Sequence, residues 1–300
     1  MINIFFRKKP ILELLISKGF FLSETQAHPY LVGGQVYCNG ERVIDPKQRF
    51  SKNCKIEVMG ISTKYCSTKG YQLEDALMTL GVSPLGKICI DAYANMGGFS
   101  DCLAQKGATL VYAVNNKPNV LCKRLYNYPN ITAIDNVEIS NPLLNTLSPI
   151  PMLATADFKK ISAKDNIPYF KSILNGRGEL ICYIRPINEI DDKFAKLTGA
   201  LSNSIYVPLI NTLIDKINSY DGMAVQNLCA SKYTKYNGYP EFFFHIMFGP
   251  SVVPFYIDDF IINSVVDDAI YYATYGNERE DSILMEDTDI AEEEDDDEKI

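Results

Sequence analysis

The chain has 300 residues, 47% of them hydrophobic, and a formal net charge of −8; this composition fits a soluble α/β protein of more than one domain. Its longest apolar stretches, such as Phe242 to Phe248, fall far short of the roughly 18 residues that a spanning helix needs, so no membrane role is expected. Eight cysteines without a CxxC pair read as small reduced core thiols, and two distant histidines, His28 and His245, leave little from which to build a metal site.

The opening MINIFFRKKP places its basic cluster after the apolar residues, with no small-residue cleavage site behind it, so a cytoplasmic protein is expected. Residues 10–17 (PILELLIS) and 24–32 (ETQAHPYLV) are predicted as two short helices. Gly33-Gly34 then ends the second helix, Val36 to Cys38 starts a strand, and Asn39-Gly40 is a two-residue hairpin signal. Val43-Ile44 and Lys55 to Val58 supply further strands. Residues 1–64 hold ten Lys/Arg against five Asp/Glu, a positive field of the kind nucleic-acid contact requires, or an ordinary solvated surface.

A second domain begins near Tyr65. A helix is predicted over 73–80, and Gly86 turns the chain into a strand at Lys87 to Asp91. The segment DAYANMGGFSD (Asp91 to Asp101) follows, then a helix ending near Gly107 and a strand at Leu110 to Val114. Strand, Gly-rich turn and helix in this order are how a Rossmann-like sheet carries a nucleotide or nucleoside ligand. Tyr93 occupies a place where close backbone approach wants glycine. Further strands are predicted at 152–156, 179–184, 224–228 and 241–248, with a helix at Val207 to Tyr220, which argues for a mostly parallel sheet covered by helices on both faces.

Beyond Phe248, apolar residues at 257, 260, 261, 265, 269 and 272 predict a helical stripe that packs on the domain or on a protein partner. Residues 278–300 hold 13 acidic and two basic residues, net −11, so the other 277 residues carry −8 − (−11) = +3. Such a tail is expected to stay disordered and to serve solubility, a protein partner, or competition with nucleic acid.

The order of elements over residues 8–60, and GGQVYCNGERV with its downstream KIEV above all, resembles the αL RNA-binding module of the S-four type. Joined to it are YCSTKGYQL, DAYANMGGFSD, YAVN, a lone Asp157 after a strand, IRP, and a glycine and glutamate opening the last strand. From residue 8 to 248 this series resembles the hemolysin-A (TlyA) family, whose members look like FtsJ-type RNA 2′-O-methyltransferases that use S-adenosylmethionine. The resemblance divides the chain into an αL-type module at 1–60, a linker and first helix at 61–84, a Rossmann-like methyltransferase domain at 85–249, an extra C-terminal helix at 250–277 and the acidic tail at 278–300.

The resemblance implies a cluster of lysine, aspartate, lysine and glutamate around a ribose whose 2′-hydroxyl loses its proton as it attacks a sulfonium methyl. Carried over, the first lysine falls on Gln72, which cannot accept a proton; the aspartate is Asp157, the second lysine is Arg185 and the glutamate is Glu241. Arginine keeps the charge but does not deprotonate in proteins. Lys69, three positions before Gln72 and so on the same helical face, is a possible substitute. On the cofactor side Asp91, Gly97, Gly98 and Phe99 are kept, Tyr93 replaces the first glycine, and Asn115 stands where an acid would receive the ribose hydroxyls. Arg7, Lys8, Lys9, Lys18 and Arg42 are the expected contacts to RNA, ribosomal by resemblance. The expectation is an RNA-binding homologue of the family with methyl transfer eroded or lost; the alternative is an active rRNA 2′-O-methyltransferase.

Overall fold

The computed structural model describes residues 8–17, 20, 24–52, 54–59, 64–158, 161–190, 202–232 and 239–275. Arg7, Lys18 and the acidic tail lie outside the described residues. The chain divides into compact units, with Met1–Thr68 in one and Lys69–Glu278 in the other.

In the first unit β1 (Lys9–Pro10) runs into α1 (Ile11–Ser17), followed by α2 (Glu24–Val32), β2 (Val36–Cys38), β3 (Glu41–Val43), β4 (Arg49–Phe50) and β5 (Ile56–Val58). Helical spacing puts Ile11, Leu14 and Leu15 on one face of α1, and strand alternation puts Val36 and Cys38 on one face of β2. With Ala27, Leu31, Val43 and Ile56 they form this unit's core. The sheet order is β3-β2-β5, antiparallel throughout. Asn39 at φ 53° and Gly40 at φ 84° supply the two left-handed residues of the hairpin. The last carbonyls of α2 accept from the turn that follows: Pro29 O from Gly33 N–H, Tyr30 O from Gln35 N–H and Leu31 O from Gly34 N–H, each at 2.8 Å. Arg42 secures that turn, donating from Nε to Gly34 O at 2.7 Å and from Nη2 to Gly33 O at 3.1 Å. The pairing of β1 with β4 is an addition to the expected elements.

The second unit contains α3 (Thr68–Leu80), β6 (Ile88–Ala92), α4 (Gly98–Gln105), β7 (Leu110–Val114), β8 (Ile131–Ile134), β9 (Leu153–Phe158), α5 (Ala163–Asn166), α6 (Tyr169–Ile173), β10 (Gly178–Ile184), α7 (Asn203–Asn218), β11 (Met223–Ala230), β12 (Phe242–Phe248) and α8 (Asp259–Tyr275). The strands form one sheet in the order β11-β12-β10-β9-β6-β7-β8. Pairs from β10 through β8 are parallel, whereas β12 runs antiparallel to both neighbours, so the sheet is mixed. Near-continuous apolar runs such as Leu180 to Ile184 mark strands buried on both faces. The chain leaves β6 toward β7 on one side and returns to β9 on the other, which makes the gap between the carboxyl ends of β6 and β9 the topological switch point.

Of the expected C-terminal stripe, Ala269 is buried and Ile257 and Val265 pack against the core, but the stripe is not followed throughout. Ile262, Val266, Ala269 and Ala273 are buried, while Phe260, expected on the inner face, is 82% exposed. Among the described residues no helix is long and apolar enough to cross a membrane, and no group of three or more His, Cys, Asp or Glu is placed to hold a metal ion.

Candidate functional site

The residues singled out in the second unit gather at one end of the sheet. Asp157 ends β9, Tyr183 lies beside it in the parallel register of β10, and Arg185 follows two residues later. Because β12 is antiparallel, its first residues reach the same end, and Glu241 immediately precedes them. Lys69 enters from the first turn of α3.

Lys69 Nζ stands 3.1 Å from Asp157 Oδ2, each side chain 12% exposed, at ion-pair distance without hydrogen-bond alignment. The same ammonium lies 3.4 Å from the centroid of the Tyr183 ring, a cation–π contact in a water-poor setting. The Tyr183 hydroxyl donates to Glu241, and Arg185 pairs with the same carboxylate, with its Nε 3.2 Å from Oε1. Arg185 also lies 5.2 Å from the centroid of the Tyr239 ring. The structure therefore joins Lys69, Asp157, Arg185 and Glu241 through Tyr183. Gln72 is buried on α3 one turn beyond Lys69. Burial, followed by the nearby charge of Glu241, holds the Tyr183 phenol well above its ordinary range. Tyr183 escaped the sequence reading, although strand alternation gave a signal: it lies two residues from Arg185 and shares its face.

The residues expected on the cofactor side form a neighbouring group. Asp91 on β6 is fully buried and faces inward, accepting from Ser100 Oγ at 2.6 Å and Thr155 Oγ1 at 2.9 Å. Burial pushes its carboxyl up to about 7, against the pull of those hydroxyls. Asp91 thus ties β6 to α4 and β9. Gly97 sits at φ 87°, a backbone conformation that strains any side chain, and a Cβ there would also press on the terminal methyls of Leu121 and Leu125. Gly98 opens α4, and Phe99 packs against Tyr183 and Phe243 with ring centroids 6.5 and 5.9 Å away.

Tyr93 adopts φ 60°, the left-handed backbone a glycine would take without cost. Its ring meets Phe158 edge-on, 6.1 Å between centroids, and its hydroxyl donates to Asn166 Oδ1 at 3.0 Å. The side chain therefore crosses from the end of β6 to the end of β9 and to α5, over the switch point. Asn115, buried at the end of β7, has its amide engaged with the main chain of Asn95. Phe158, Asn166 and Asn95 were not singled out from sequence, where nothing marks them as neighbours of Tyr93 or Asn115.

An S-adenosylmethionine ligand laid across this crevice needs room beside the loop after β6 and a partner for its ribose hydroxyls. The residues present do not fit that requirement: the phenol of Tyr93 takes the first and the amide of Asn115 is committed elsewhere.

The Rossmann-like sheet is that of a methyltransferase-type domain, and residues 65–201 match the model of the FtsJ-like methyltransferases. "Hemolysin A" of Brachyspira hyodysenteriae is 30% identical over 209 residues, covering 68% of this chain and 86% of that protein. The chain belongs to this hemolysin-A (TlyA) family. The "16S/23S rRNA (cytidine-2'-O)-methyltransferase TlyA" of Mycobacterium tuberculosis is 23% identical over 177 residues, 59% of this chain and 66% of that one. A structure from Streptococcus thermophilus, provisionally described as a hemolysin, superposes with a TM-score of 0.65 at 25% identity, covering 88% of this chain and 96% of that chain.

Proposed function

We propose that this protein is an RNA-binding member of the family in which S-adenosylmethionine-dependent 2′-O-methyl transfer is eroded or lost. The reading is carried by Tyr93, whose ring and hydroxyl span the switch-point crevice. RNA recognition is assigned to residues 1–60 as an αL-type module. Two helices followed by a small antiparallel sheet support that assignment, as does the excess of ten basic over five acidic residues in 1–64. Within that module Lys8 is exposed, Lys9 pairs with Glu13 and Arg42 holds the Gly33–Gly34 turn, so Lys8 carries the least encumbered charge among the described contacts. Ribosomal RNA is the proposed target, by analogy with the M. tuberculosis relative.

A second reading, an active methyltransferase, draws on one specific observation: the ammonium of Lys69 reaches Asp157 from one turn before the substituted position. Calorimetric titration with S-adenosylmethionine separates the two. The purified chain is expected to show no saturable binding, and Tyr93→Gly combined with Asn115→Asp to recover some. Binding in the micromolar range by the unmodified chain sinks the first reading. Structured ribosomal RNA fragments are expected to shift in a gel with the unmodified chain, and absence of any shift at low salt removes the RNA-binding half.

A further inference from the structure

We infer that Asn115 is a positioning residue that holds the Tyr93–Gly97 loop closed through a two-point amide clamp, so that the loop is completed by the protein itself and not by a ligand. Asn115 Oδ1 accepts from the Asn95 N–H at 2.7 Å, and Asn115 Nδ2 donates to Asn95 O at 3.2 Å. One orientation of the amide serves both bonds and the reverse serves neither. Its own main chain is fixed, since Asn115 N–H donates to Ile134 O at 2.9 Å and Asn115 O accepts from Val137 N–H at 3.0 Å.

Other polar groups of the loop also turn inward. Asn95, at φ 49°, donates from Nδ2 to Tyr93 O at 2.7 Å. Ala94 N–H donates to Val114 O at 3.0 Å and Gly97 N–H to Ala94 O at 2.7 Å. Met96 O accepts from Cys122 N–H at 3.0 Å and Gly97 O from Asp101 N–H at 2.8 Å. A loop that cradles a ligand keeps main-chain donors pointed at it. Here the carbonyls of residues 93–97 and the N–H groups of 94, 95 and 97 are all used within the protein.

The choice of side chain follows from donor count. A carboxylate at 115 could accept from the Asn95 N–H, but its second oxygen would face the Asn95 carbonyl, two acceptors in a buried place. A ribose would have to displace Asn95 from the amide before it could bind there. Loss of the acid and gain of the clamp are one substitution. The ligand consequence rests on the proposed reading of the crevice; the clamp does not.

The test compares melting of the full chain with Asn115→Asp and Asn115→Ala variants. Near pH 7 each variant is expected to melt roughly 5 °C lower. At about pH 4 to 5 the deficit of Asn115→Asp should shrink, because a protonated carboxyl regains a donor for Asn95 O, while that of Asn115→Ala should stay. Asp135 and Glu138, the carboxylates beyond β8, and the Tyr93 phenol titrate in the parent and in Asn115→Ala too, so their own background cancels in the difference. Repulsion between Asp135 or Glu138 and a new carboxylate at 115 is read separately as the part of the Asn115→Asp deficit that added salt removes. Hydrogen-exchange protection of the Asn95 amide should fall in Asn115→Ala. No deficit at neutral pH, or equal deficits for Asn115→Asp at both pH values, overturns the clamp. The melting curves thus decide the clamp, and titration of the parent with S-adenosylmethionine decides the crevice separately.

Discussion

At the scale of single residues the cluster around Tyr183 behaves as two ion pairs sharing one ring. The ammonium of Lys69 lies over the ring and pairs with Asp157, and the Tyr183 hydroxyl reaches the Glu241 carboxylate that neutralises Arg185. Removing one partner of a buried pair strands the other charge, which costs more than the pair contributes. Glu241→Ala should therefore destabilise by about 3 kcal/mol, read as a shifted denaturant midpoint with unchanged slope, and Glu241→Gln by clearly less. In a methyl-transfer assay with ribosomal RNA, neither the parent nor Lys69→Ala is expected to show product. Product from the parent that vanishes in Lys69→Ala would instead assign the chemistry to Lys69 and defeat the non-catalytic reading. The changes at 72, 93, 115 and 185 were legible in the sequence because each alters charge or steric demand inside a recognisable block. That Lys69 reaches Asp157 across the Tyr183 ring was not, because it depends on the register that sets Tyr183 beside Asp157. The Asn95–Asn115 bond was hidden for a similar reason, since it needs Asn95 in the left-handed region.

At the scale of elements the sheet gathers the candidate site residues at one end and a set of ion-paired residues at the other. There Lys87 Nζ lies 2.6 Å from Glu179 Oε1, and His245 Nε2 lies 2.9 Å from Oε2, linking the start of β10 to β12 and to the entry of β6. The hydrogen bond from His245, then the contacts of Lys87, hold the Glu179 carboxyl down to about 2, from an ordinary 4.5. The folded chain binds this proton more weakly than the unfolded chain. The stabilisation is therefore fully present above about pH 4.5 and is lost as pH falls toward 2. Glu179→Gln should cost about 2 kcal/mol at pH 7 and progressively less from pH 4.5 downward, measured by urea unfolding; a pH-independent cost would refute the linkage. In the first unit Arg42→Ala should loosen the Gly33–Gly34 turn after α2 by about 1 kcal/mol, seen as faster exchange of the Gly33, Gly34 and Gln35 amides. Most strands could be read in advance because their apolar runs lie between turn signals. β8 was missed because its burial is only partial along Ile131–Ile134, and β1 and β4, two residues each, carry no periodicity to read.

At the scale of the whole molecule the charge separates by segment: residues 1–64 carry 10 − 5 = +5 and residues 278–300 carry 2 − 13 = −11. A polyanionic segment and RNA phosphates present the same kind of partner to a basic module, so the tail is expected to compete for it. Deleting residues 278–300 should raise affinity for structured RNA several-fold at low salt. The gain should shrink as salt rises, because exposed charges more than a Debye length apart are screened and counterion release weakens together with them. Replacing the acidic residues of the tail with asparagine and glutamine should reproduce the gain at unchanged length, which separates charge from bulk. Unchanged affinity at low salt in both variants would assign the tail to solubility or to a protein partner. Absence of measurable RNA binding in every form would remove the RNA-binding reading and leave residues 1–60 as a surface for another protein.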